Sequence, residues 1–62
     1  MEVLLNLKAW MVVNQVTQKD FAETLGVSLQ TVNNKINGRR PFTLPDIKKL
    51  NKTYGVDANV FM

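Results

Sequence analysis

Gln30, Asn33, Asn34 and Asn37 crowd carboxamides into one short stretch, directly after Leu29. A carboxamide donates and accepts at once, so it can bond in pairs to any edge that offers one of each. The N6 and N7 edge of adenine is such an edge, and a leucine beside it can touch a thymine methyl group. Helical geometry brings these residues together. At ~100° per residue, with Leu29 at zero, Gln30, Asn33, Asn34 and Asn37 share an arc of ~140° with it. Val32 and Ile36 lie together at ~300–340°, outside that arc, and Thr31 and Lys35 take the flank at ~200–240°. Asn is a poor residue for a helix interior, and Glu or Lys would give solubility at lower cost. No acid stands on this face. It therefore suits a hydrogen-bonding polyanion; the competing explanation is a polar surface with no ligand.

Other chemistry is hard to find. The 62 residues include no Cys and no His, which removes the usual nucleophiles, bases and zinc ligands. Glu2, Asp20, Glu23, Asp46 and Asp57 are scattered, so no carboxylate cluster offers a metal site. Ser28 and the threonines lack an evident partner base, and Gly26, Gly38 and Gly55 are too isolated to form a phosphate loop. The expectation is a non-enzyme without cofactor, metal or small-molecule ligand. The longest apolar run, 9–13, is too short for a membrane span, and no basic leader precedes it, so the expected location is the cytoplasm. Net charge is +3, and its distribution is uneven. Lys35, Arg39, Arg40, Lys48, Lys49 and Lys52 face only Asp46 in the stretch 33–52, which favours a nucleic-acid partner.

The elements that must position the amides follow from caps and apolar spacing. A first helix is expected over 2–14, with Val3, Leu4, Leu7, Trp10 and Met11 at helical spacing. Thr17 is an N-cap, with Asp20 at the third helical position, for a second helix over 18–25. Its inner face is Phe21, Ala22 and Leu25, and Gly26 ends it. Val27 fills the turn and Ser28 caps a third helix over about 29–37, stopped by Gly38. Thr43, with Asp46 three residues on and Pro45 in the first turn, starts a fourth helix over 44–54. Leu44, Ile47, Leu50 and Tyr54 are its expected inner face and Gly55 its end. Asp57 is a candidate cap for a last helix over 58–61. With 45% hydrophobic residues, the stretch 1–62 reads as a single all-α domain.

The unit QKDFAETLGVSLQTVNNKIN consists of two short helices around a Gly-containing turn, the helix-turn-helix signature. Ala22 is small enough for a close helix crossing, and Val32 and Ile36 face inward. From Thr17 to Val56 the sequence resembles the Cro/repressor helix-turn-helix family of temperate phages. It is most similar to short repressors of phages of Gram-positive bacteria, which carry a comparable NKINGRRPFTL segment. Gln18, Ala22, Gly26, Val27, Ser28, Val32, Asn37 and Gly38 carry the resemblance in order.

The resemblance implies a compact five-helix bundle with the helix-turn-helix at helices 2 and 3, the latter entering the major groove. It implies regulation of transcription by operator occlusion, as a twofold dimer or as cooperating monomers on double-stranded DNA. Carried over by position, Leu29, Gln30, Asn33, Asn34 and Asn37 face bases. Thr17, Gln18, Ser28, Lys35, Arg39, Arg40 and Thr43 lie near phosphates. Three departures stand out. Leu29 replaces a polar residue, so an amide pair between that site and Gln18 is missing. Asn51 stands where relatives have an inward Ala. Met11, Val12 and Val13 replace charged residues, which makes them a candidate interface for a second copy or a second phage regulator. An antirepressor that sequesters another repressor is the alternative function, and an antitoxin a third.

Overall fold

The computed structural model describes residues 3–61. Four α-helices follow one another: α1 Leu5–Val13, α2 Gln18–Leu25, α3 Leu29–Ile36 and α4 Leu44–Tyr54. A 3₁₀ turn, Ala58–Phe61, closes the chain, and no strand occurs among the described residues. The expected five-helix bundle is thus four α-helices and one 3₁₀ turn. Four residues are too few for a stable α-helical segment, and i→i+3 bonding such as Val60 N to Asp57 O at 3.0 Å takes over.

Local chemistry sets the boundaries of α2 and α4. Thr17 Oγ1 accepts from Asp20 N at 3.1 Å, and Asp20 Oδ2 accepts from Thr17 N at 2.9 Å. Thr43 and Asp46 repeat this reciprocal cap on α4, at 3.3 and 3.1 Å. Each pair satisfies two of the donors that a helix start leaves orphaned. Gly26 at φ 69° and Gly55 at φ 72° end the two helices in left-handed conformation.

The core is Leu7 and Met11 from α1, Phe21 and Ala22 from α2, Val32 and Ile36 from α3, Leu50 from α4, and Val56. Trp10, Val16, Leu25, Phe42, Tyr54 and Phe61 pack around it, half-buried. Two polar links hold the periphery. The carbonyl of Asp20 accepts from Thr24 Oγ1 at 3.0 Å and from Tyr54 Oη at 3.2 Å, which ties the end of α4 to α2. Asn51 Nδ2 donates to the Val56 carbonyl at 2.9 Å, so this amide closes the chain reversal after Gly55 instead of facing the core.

Several expectations need correction. Residues 3 and 4 are not helical, and the expected start at Glu2 lies outside the described residues. Leu4 N donates instead to the Ile36 carbonyl at 2.9 Å, which straps the lead-in to the end of α3. Val3 is consequently exposed, and the α1 stripe reduces to Leu7 and Met11, flanked by Leu4 and Trp10. Helix α3 ends at Ile36, with Asn37 as its C-cap. Leu44 is 72% exposed, because the first residue of α4 projects past the packed part of the bundle.

Gln15, between α1 and α2, has φ 55°. A non-glycine residue there carries a Cβ penalty of about 1–2 kcal/mol. Gln15→Gly is therefore expected to raise stability by up to about 1 kcal/mol, after the entropic cost of glycine. Gly55→Ala should lower it by about 1 kcal/mol through conformation alone, since an added Cβ meets nothing within 4 Å. Thermal melts of the two variants should move in opposite directions by several degrees, about 4–8 °C per kcal/mol.

Candidate nucleic-acid interface

The turn between α2 and α3 sets the exposed face of α3. Gly26 reverses the chain, and Val27 N donates to the Ala22 carbonyl at 3.1 Å. Val27 fills the turn incompletely and remains partly exposed. Ser28 Oγ accepts from Thr31 N at 3.1 Å and lies 2.9 Å from Thr31 Oγ1. Val32 and Ile36 are wholly buried, so the opposite side of α3 must face out.

That outer side divides in two. Leu29, 54% exposed, and Gln30, also exposed, stand at the start of α3. Among the described residues the Gln30 amide has no partner. Asn33, Asn34 and Asn37 are half-buried and bonded. Asn33 Nδ2 donates to Gln18 Oε1 at 3.3 Å. Asn37 Nδ2 donates to the Asn33 carbonyl at 2.9 Å and to Asn33 Oδ1 at 3.1 Å. Arg39 Nη1 donates to Asn34 Oδ1 at 3.3 Å. Gln18 therefore has an amide partner despite Leu29: Asn33, one helical turn further on. The i,i+4 spacing of Asn33 and Asn37 was a visible signal for part of this network. The crossing of α2 and α3 that brings Gln18 to Asn33 was not.

The residues expected near phosphates are placed unequally. Gln18 opens α2, and Arg39 and Arg40 are exposed on the loop after α3. The hydroxyls of Thr17, Ser28 and Thr43 cap α2, α3 and α4. Lys35 is not a free cation. Its ammonium pairs with Asp46 Oδ2 and sits 5.6 Å from the centre of the Phe42 ring. The cause is the α4 cap, which holds Asp46 against the end of α3. Of the candidate protein interface, Val12 and Val13 are 78% and 80% exposed, but Met11 is in the core. Met11 follows Leu7 by four residues and so shares its inner face.

Two carboxylates lie below their ordinary range. For Asp46, partial burial pushes the pKa up, but the Lys35 ammonium and the N–H and hydroxyl of Thr43 outweigh it. For Asp20, the Thr17 N–H and then the Thr17 hydroxyl lower it, against slight desolvation, with Lys19 adding a little.

This geometry has a capped, glycine-turned helix pair, an amide-bearing outer face and flanking arginines. A helix-turn-helix family model matches residues 7–61. The chain belongs to the helix-turn-helix family. It is accordingly a DNA-binding domain of the transcription-regulator kind. No curated protein and no solved structure matched this helix-turn-helix domain. Among the described residues no helix is long and apolar enough to cross a membrane.

The depressed carboxylates predict the acid response. A carboxylate held low in the folded state stabilises it fully above the unfolded value of about 3.9, and that contribution is lost as pH falls through the folded pKa. Melting temperature should stay level from pH 7 to about 5 and fall below about 4. Asp46→Asn should lower the neutral-pH melting temperature and flatten the acid limb, as read by circular dichroism across pH.

Proposed function

We propose that this domain is a sequence-specific repressor of the small Cro-like type, serving a phage genetic switch in the cytoplasm by operator occlusion. The observation that carries this reading is the pairing of Leu29 and Gln30. They stand free at the start of the recognition helix, while the rest of its outer face is bonded within the protein. An exposed leucine followed by an unpartnered amide suits a thymine methyl beside an adenine edge. Arg39 and Arg40 extend the contact to the backbone, and Gln18 and the α2 N-terminus add neutral donors. A dimer of this domain on a near-palindromic operator gives the affinity that one short helix lacks. No catalytic step, cofactor or effector enters this reading.

Selection from a random-sequence duplex pool, followed by titration at several salt concentrations, tests it. The wild type should enrich one half-site. Gln30→Ala should relax one base pair of that site at a cost of roughly 1–3 kcal/mol, with melting temperature unchanged. Arg39→Ala with Arg40→Ala should weaken all sequences alike and flatten the salt slope, by about 0.9 for each phosphate that is no longer neutralised. Enrichment of no sequence by the wild type overturns the reading.

A second reading is favoured by α1. Val12 and Val13 lie bare, and Val12 borders an open groove of about 490 Å³ between α1 and the start of α2, lined also by Met11 and Val16. β-Branched residues exposed as a cluster suit a protein contact, so the same domain can act as an antirepressor that captures another regulator. Val12→Glu with Val13→Lys conserves charge and leaves α3 untouched. On this reading the variant folds and loses capture of the second regulator. Unaltered capture and unaltered sedimentation would make the patch plain surface.

A further inference from the structure

The amide of Gln18 shows the solvent an end of one fixed sign, and two residues of α3 decide which. Asn37 Nδ2 donates to the Asn33 backbone carbonyl at 2.9 Å. A carbonyl can only accept, so this bond orients the Asn37 amide outright. The same Nδ2 donates to Asn33 Oδ1 at 3.1 Å. That assigns the Asn33 oxygen to Asn37 and turns Asn33 Nδ2 toward α2, where it donates to Gln18 Oε1 at 3.3 Å. The Gln18 oxygen is thereby occupied, and Nε2 is the end left for a ligand. All three side chains are half-buried, so water competes weakly for these bonds.

We propose that Asn33 and Asn37 are positioning residues, not base readers, and that their relay fixes Gln18 as a donor toward a backbone phosphate. The proposal rests on the DNA-binding reading above. A phosphate offers only acceptors to an uncharged donor. A free glutamine amide presents its oxygen as readily as its nitrogen, and the oxygen would repel the phosphate. The relay removes the wrong orientation before DNA arrives. It also removes Asn33 and Asn37 from the base readers on α3.

The test is a set of equilibrium titrations with a fixed operator duplex and a scrambled duplex. Asn37→Ala and Asn33→Ala should each weaken both duplexes by the same factor, about twofold, because the freed amide then presents its donor end only about half the time. Base preference, measured by selection, should be that of the wild type. In a Gln18→Arg background the side chain has donors only, so its sign needs no setting. There Asn37→Ala should leave affinity unchanged, which also separates the relay from any loss of fold shared by both backgrounds. A changed base preference in Asn33→Ala, or an equal loss in the Gln18→Arg background, overturns the proposal. If the wild type binds neither duplex, the DNA-binding reading itself has failed, and the relay proposal fails with it.

Discussion

Phe21 lies where α1, α2 and α4 meet, with the Trp10 ring at 6.4 Å and the Tyr54 ring at 5.7 Å. Its side chain is wholly buried in a domain whose core has few other large members. A chain of 62 residues buries proportionately little apolar surface, so one aromatic at the crossing carries an unusual share of the cohesion. The angle of α2 depends on it, and α2 sets the angle of α3 through Ala22 and the Gly26 turn. The Asp20 carbonyl adds direction to this packing, because Thr24 and Tyr54 both donate to it. The packing that carries the α2–α3 pair thus includes an aromatic contact to α1 and α4.

Helices α2, α3 and α4 were legible in the sequence because their ends are written locally. Thr17 with Asp20, Ser28, and Thr43 with Asp46 are caps that need no tertiary information, and Gly26 and Gly55 are stops of the same kind. Helix α1 carries no side-chain cap, and apolar residues run round much of it. Its start depends on the bond from Leu4 N to the Ile36 carbonyl, half the chain away in sequence, which no local signal announces. The exposed Leu44 misled for a related reason: spacing gives a helix face but not where the neighbouring helix ends.

The outer side of α3 was legible as a face and not as a network. Periodicity alone separates Leu29 and Gln30 from Val32 and Ile36. Which amides are free depends on the α2–α3 crossing, and the role of Lys35 depends on the approach of Asp46 from α4. Residue type at the right spacing therefore overstates how many side chains are available to DNA or to a partner. The structure removes Lys35 from the free cations and Met11 from the exposed apolar patch, for one underlying reason: each has a closer partner inside the protein.

The separation of inner and outer residues along α3 bears on how such a domain can change over evolutionary time. Val32 and Ile36 are wholly buried and hold the helix, while Leu29 and Gln30 are exposed. Substitution at these two outer positions costs the fold little, so a lineage can change them without passing through an unfolded intermediate. The bonded amides lack that freedom, because a change at Asn33 disturbs Gln18 and Asn37 together. Two neighbouring positions are thus a mutational hot zone of low cost, set into a scaffold that resists change one turn away.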